Sequence, residues 1–332
     1  MEIDFENLSH CLFCFSENLV FLFKAKDRLT NLPGEFSLCR CGDCGLVFQN
    51  PRVKKEFINH FYTKDIGYLK PHLEKKEVSR LKYFFKNQTL INHFFYKGKK
   101  NPLYFLLTWP TALFLQIKSW PYFKENGKVL EIGCADGSFL EELKEAGWQV
   151  KGIELSEEVA KFARVARHLD VENKPIEEVS FEAGEFDVII SNMVFEHLYN
   201  PFEIIKKVSL WLKPKGELIF SIPYFWGFEF LVFESFSYGL QLPTHTFFFN
   251  KKIIKKSLKD NGFAKIKFYH QFFDRDIVVS SQYKYQDTKS QFYKFLGYSR
   301  FARIFIIKPF VFILALLGKT SRITVRAIKN EA

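Results

Sequence analysis

The chain has 332 residues, 47% of them apolar, and a net charge of +11, which excludes a mainly disordered protein and suits one full-sized domain with smaller attachments. The charge is uneven: residues 1–50 carry net −3, 51–128 net +11, 129–262 net −6 and 263–332 net +9. An acidic middle between basic, aromatic flanks suits a solvated exterior, or an anionic partner such as a lipid headgroup, a phosphate-linked intermediate or RNA.

At the N-terminus, MEIDFENLSH is acidic and lacks the apolar core of a secretory signal, so the cytoplasm is the expected compartment. Cys11-x-x-Cys14 and Cys41-x-x-Cys44 stand 26 residues apart, the layout of a four-cysteine zinc ribbon. Thiolates three positions apart on a tight turn share one tetrahedral ion, and Gly42 and Gly45 permit that turn. Four protein ligands close the site, so zinc here is structural. Cys39 is a spare that could replace Cys41. Residues 1–50 are thus expected to form a zinc-ribbon-like module, leading through Pro51 into a helical linker or cap over 51–126.

Two apolar stretches approach the length of a membrane span. Leu103–Ile117 is broken by Pro110, and Ile304–Leu317 by Lys308 and Pro309. A spanning helix needs about 20 apolar residues. Interfacial or buried helices are expected instead, with a peripheral site on the inner membrane face as one location.

From residue 127 onward, strands alternate with helices, which implies a Rossmann-like, doubly wound sheet of seven strands. Strands are expected at Val129–Ile132, Gln149–Glu154, Val171–Asn173, Phe186–Ile190, Glu217–Ile222, Phe263–His270 and Arg322–Ile328. Ser156 and Asn200 are expected helix caps, the latter followed by Pro201. A helical, aromatic-rich insertion is expected at about 271–321.

The segment Val129-Leu-Glu-Ile-Gly-Cys-Ala-Asp-Gly-Ser-Phe139 runs from strand to small-residue turn to helix, letting a nucleotide approach the backbone. A G-x-G-x-x-G fingerprint started at Gly133 would need Gly at 135 and 138, where Ala135 and Ser138 stand. Glu131 at the strand end would repel a pyrophosphate but suits a cofactor bearing a sulfonium and an ammonium group. Glu154, 21 residues after Gly133, is placed to accept hydrogen bonds from two ribose hydroxyls.

On these residues the chain resembles class I S-adenosylmethionine-dependent methyltransferases, in particular ubiquinone-methyltransferase-like ones with an N-terminal zinc-ribbon head. LEIGCADGSFL is similar to their motif I, GIELS to the acidic motif II, and FDVIISNMVFEHLYNP to motif IV and its sequel. LKPKGELIFSIP, PTHTFFF and CGLVFQNPR extend the likeness, while Ala135 departs from the usual Gly. The resemblance implies that Glu131, Gly133, Ala135 and Gly137 line the methionine end of S-adenosylmethionine. It places Glu154 on the ribose, Leu155 against the adenine, and Asn192 and Met193 beside the transferring methyl group.

Methyl transfer from a sulfonium is an in-line displacement, so the enzyme aligns the partners and, for a hydroxyl or amine, removes a proton. His197, after the fourth strand, and His245, in the segment expected to close over the site, are the candidate bases. His10, His60, His72, His93, His168 and His270 lie in no motif. Between Pro223 and Phe249, 11 of 27 residues are aromatic, which suits core packing under a lid or an apolar roof over a lipid-like or aromatic acceptor. The leading reading is methylation of a small-molecule, lipid-linked or glycan-intermediate acceptor. RNA methylation, or an inactive methyltransferase fold that only binds, are the alternatives.

Overall fold

The computed structural model describes residues 3–62, 79–117 and 119–331. The head begins with β1 (Phe5–Glu6), β2 (Leu19–Lys26), β3 (Glu35–Cys41), β4 (Val47–Gln49) and β5 (Arg52–Val53). β1 pairs with β5, and β2, β3 and β4 form an antiparallel ladder. Helices α1 (Arg80–His93), α2 (Pro102–Leu107) and α3 (Trp109–Ile117) follow. Asn101 caps α2, its side chain accepting from the Leu103 N–H at 2.9 Å. The break in this apolar stretch falls at Thr108. Pro110 lies in the first turn of α3, where its missing N–H leaves no bond unmade.

The main layer is a seven-stranded sheet. In chain order it contains β6 (Lys128–Ile132), β7 (Gln149–Ile153), β8 (Val171–Glu172), β9 (Phe186–Asn192) and β10 (Leu212–Pro223). After the short β11 (Phe247–Phe248) come β12 (Phe263–His270) and β13 (Arg322–Lys329). The spatial order is β12-β13-β10-β9-β6-β7-β8, with β13 antiparallel to both neighbours and the pairs from β10 to β8 parallel. The connecting helices are α4 (Ser138–Glu145), α5 (Glu157–Ala166), α6 (Pro201–Trp211), α7 (Phe228–Phe233) and α8 (Lys251–Asp260). This is the expected doubly wound sheet, built on alternating apolar strands and amphipathic helices.

Local signals explain most helix starts. Asn200 accepts from the Glu203 N–H and Asn250 from the Ile253 N–H, both from N-cap positions. Ser156, the other expected cap, makes no such bond. Its N–H donates to Glu154 Oε1 at 2.8 Å.

Between β12 and β13 lie α9 (Arg275–Thr288), α10 (Gln291–Tyr298), α11 (Arg300–Ala302) and α12 (Lys308–Leu316). The break expected at Lys308 and Pro309 is absent. A π-helical turn, Arg303–Ile307, joins α11 to α12 and absorbs the proline, whose lack of N–H would interrupt a regular α-helical ladder. No helix among the described residues is long and apolar enough to cross a membrane.

The head does not stand apart. β11 adds to its sheet as the fourth strand, with Phe247 opposite Phe48 and Phe248 opposite Val47. Cys11, Cys41, Leu46 and Phe48 share a buried core with Leu130, Ile132, Phe195 and Phe220. The buried amide of Gln49 donates to the carbonyls of Pro243, at 2.7 Å, and His245, at 2.6 Å. Replacing Gln49 by Ala strands two buried acceptors, so Gln49→Ala is expected to lower unfolding stability by on the order of 3 kcal/mol in a urea titration. A loss under about 0.5 kcal/mol would show that the junction carries no stability.

Candidate functional site

The turn after β6 is the first half of the site. Gly133 and Gly137 have φ of +71° and +74°, and a Cβ on either would lie 2.5 Å from a Val194 or Leu169 methyl. Ala135 between them has φ +48°, a conformation that costs an L-residue about 1–2 kcal/mol. The Ala135 N–H donates to Glu154 Oε2 at 2.9 Å, which ties the turn to the end of β7. Asn173 in turn donates to the carbonyls of Glu154 and Leu155, fixing the strand end while the Leu155 side chain stays 57% exposed.

Glu131 is buried at the end of β6, and its Oε2 has no hydrogen-bond partner. Burial lifts its pKa well above the usual carboxylate range, with the negative charges of Glu154 and Asp136 adding to the shift and Asn192 opposing it. Asn192 at the tip of β9 is held by hydroxyl donors, Ser119 at 2.7 Å and Ser221 at 3.2 Å. Met193 follows it with φ +55°.

A second cluster of candidate residues forms where the segment after β9 meets the one before β11. His245 Nδ1 is 2.9 Å from the Gly239 carbonyl, and His197 Nδ1 is 3.0 Å from the Thr244 carbonyl. A carbonyl only accepts, so each ring carries its proton on Nδ1 and presents the Nε2 lone pair. The rings meet edge to face, centroids 4.6 Å apart, and Tyr62 Oη lies 3.0 Å from His197 Nδ1. Glu196 is fully buried, and neither carboxylate oxygen has a hydrogen-bond partner. One of them is 4.0 Å from His245 Nε2.

Burial pushes Glu196 up to about 8, against its own backbone N–H and the Arg322 guanidinium. Burial pushes His197 down to about 4, and burial with the charge of His197 holds His245 well below the usual imidazole range. At neutral pH the group is therefore a carboxylic acid beside two neutral imidazoles. The three side chains offer ligand atoms within 4.8 Å of one another, a donor set that one cation would also fit.

In the head, the sulfurs of Cys11, Cys14, Cys41 and Cys44 also lie within 4.8 Å of one another. Cys11 to Cys44 is 3.6 Å and Cys14 to Cys41 is 3.5 Å. Tetrahedral zinc with bonds of about 2.3 Å separates its sulfurs by roughly 3.8 Å, so the donor set fits zinc. Cys39 is outside the cluster, its thiol directed to the Asn50 carbonyl at 3.7 Å.

Residues 110–267 match a family described as "Methyltransferase domain". Over that stretch, just under half of its length, the chain is similar to this methyltransferase family. Curated relatives of this methyltransferase domain include the ubiquinone biosynthesis O-methyltransferase of Bordetella avium (strain 197N), 33% identical over 103 residues. That match covers 29% of this chain and 43% of the relative. The enzyme of the same name from Idiomarina loihiensis is 35% identical over 100 residues, 28% of this chain and 41% of the relative. The chain spans less than half the length of the curated relatives it matches. Among solved structures, a Thermotoga maritima S-adenosylmethionine-dependent methyltransferase, a possible histamine N-methyltransferase, is 17% identical with a TM-score of 0.45. The alignment covers 66% of this chain and 89% of that one. Haemonchus contortus phosphoethanolamine N-methyltransferase 2 is 16% identical at a TM-score of 0.45, covering 94% and 69%.

Within the methyltransferase domain, Glu131, Gly133, Ala135, Gly137, Glu154, Leu155, Asn192 and Met193 fall at the turns and strand ends on the carboxyl edge of the sheet. His197 and His245 come together, and Glu196, Tyr62 and Ser119 join the site as residues sequence reasoning missed. Glu196 is adjacent to His197 in sequence, which was a signal; Ser119 and Tyr62 left none. His72 lies outside the described residues. Of the other histidines, His270 is buried, with Nε2 2.7 Å from Lys251 Nζ.

Glu196 gives the stability a pH dependence. Its folded pKa of about 8 stands above the unfolded 4.5, so its contribution is full below 4.5 and is lost as pH rises toward 8. The two histidines work oppositely, but only below about 6.5, where their unfolded forms take up protons. Between pH 6.5 and 8 the protein is expected to lose on the order of 2 kcal/mol of stability, and Glu196→Gln to flatten that slope. Equal slopes for the two proteins in denaturant titrations at four pH values would remove Glu196 as the cause.

Proposed function

We propose that the chain transfers a methyl group from S-adenosylmethionine to a hydroxyl of a small-molecule, lipid-linked or glycan-intermediate acceptor. The observation that carries this reading is the buried, unpartnered oxygen of Glu131 at the strand end beside Asn192. A buried carboxylate without a partner is costly, and a ligand cation placed against it removes that cost. When bound, the cofactor supplies an electrophilic methyl group on a sulfonium. Glu131 would face its positive groups, Glu154 its ribose hydroxyls and Leu155 its adenine, while Asn192 and Met193 border the methyl.

On the acceptor side, His245 is the proposed base, its Nε2 lone pair turned toward the space it shares with Glu196 and His197. A neutral imidazole is the form that can take the hydroxyl proton. The aromatic roof excludes water. The O-methyltransferase names of the curated relatives favour a hydroxyl acceptor. We propose zinc at Cys11, Cys14, Cys41 and Cys44, holding the head that carries β4 and, through it, the roof strand β11.

Calorimetry with S-adenosylmethionine tests the cofactor site. Tight binding is expected, with Glu154→Ala weakening it about 10- to 100-fold through loss of charge-assisted hydrogen bonds. Affinity is expected to rise with pH, because a cation favours the ionised form of Glu131. An unchanged affinity in a folded Glu154→Ala protein would remove Glu154 from the site. Metal analysis of reduced protein is expected to give one zinc per chain. Because the head shares a sheet with β11, Cys11→Ser is expected to cost activity as well as metal. Full activity in metal-free protein would break that connection.

A further inference from the structure

Among the described residues nothing covers the apolar outer face of the segment from α10 to α12. Its inner face is accounted for: Ile307 and Val311 are buried in a cluster with Phe233, Ile277 and Val278, and Phe310 meets Phe228 at 5.1 Å between ring centroids. On the other side Phe301, Phe305, Phe312 and Leu316 recur at intervals of four, seven and four residues, one stripe along the helical run, with the half-exposed Phe312 also meeting Phe272 at 6.1 Å between ring centroids. Phe305 is 64% and Leu316 65% exposed, and Ile306 and Ile313 widen the stripe. A run that is apolar on both faces is stable in water only with something over the second.

The charges say what that cover is. From residue 288 to residue 330 the chain contains nine basic residues and not one Asp or Glu; Arg303, Arg322 and Arg326 pair with Asp274, Asp276 and Glu217 from outside the stretch, and the others have no acidic neighbour in it. Lys294, Arg300, Lys308 and Lys319 are all exposed beside the stripe. A second copy applied to this face would bring these cations against their own counterparts, with no carboxylate in the stretch to offset them. An anionic bilayer meets both demands: acyl chains take the aromatic stripe and headgroups take the cations. We infer that the stripe Phe301–Leu316 and its flanking lysines and arginine form a docking surface for an anionic lipid bilayer.

The position fits this use. The insertion leaves the end of β12 and re-enters at the start of β13, the carboxyl edge of the sheet. Asn192 and the Gly133 turn lie on that same edge. A membrane held there faces the proposed acceptor side, so a lipid-linked acceptor reaches the site without leaving the bilayer. Docking itself does not rest on the proposed chemistry.

Flotation of the full chain with vesicles tests it, using phosphatidylcholine alone and phosphatidylcholine mixed with phosphatidylglycerol. The expected result is binding to the mixed vesicles only, weakened by salt. Each of Lys294→Gln, Arg300→Gln and Lys308→Gln is expected to lower the partition coefficient about fivefold. Phe305→Ser with Phe312→Ser, both at exposed positions, is expected to abolish binding while circular dichroism and S-adenosylmethionine binding stay unchanged. No binding to either vesicle overturns the inference, as does binding that the Phe305→Ser, Phe312→Ser protein retains. A stable dimer in sedimentation, dispersed by that double variant and indifferent to vesicles, would assign the stripe to a second copy instead.

Discussion

Backbone groups taken out of water need partners, and the stretch from Pro243 to Phe248 finds them in the head. Gln49 fills two of its carbonyls and β4 pairs with β11. That junction holds His245 over the carboxyl edge of the main sheet. It also joins the four-thiol cluster to the roof through one continuous antiparallel sheet. The head is therefore a structural part of the segment that carries His245, the candidate base.

The cofactor side depends on a different constraint, the crowding of carboxylates. Burial raises the cost of ionising Glu131, and the charges of Glu154 and Asp136 add to it. Glu154 has backbone N–H donors from Ala135 and Ser156 on its two oxygens. Glu131 keeps one oxygen without any. Such an arrangement is poised for a ligand that brings positive charge. The roof shows the complementary situation, with desolvation leaving Glu196 protonated and both histidines neutral.

The parallel part of the fold was legible because each strand–turn–helix unit is specified locally. The turn glycines, Asn200 before Pro201 and Asn250 before α8 act on their immediate neighbours, and the expected strands matched to within a residue or two at most ends. Errors came where a neighbour intervened. Ser156 stands at the N-cap of α5 without a side-chain bond, and Pro309 did not end its helix because a π turn took up the missing bond.

The sequence by itself determined the alternation that winds the sheet, the acids at the ends of β6 and β7, and the two cysteine pairs. All of these are set by contacts within a few residues or by strict spacing. Only the tertiary structure decided that β11, two residues long, joins a strand about 200 positions away. It alone placed Ser119 on Asn192 and set Glu196 beside His245. Those outcomes depend on which groups long-range packing removes from water together, and no local pattern encodes that.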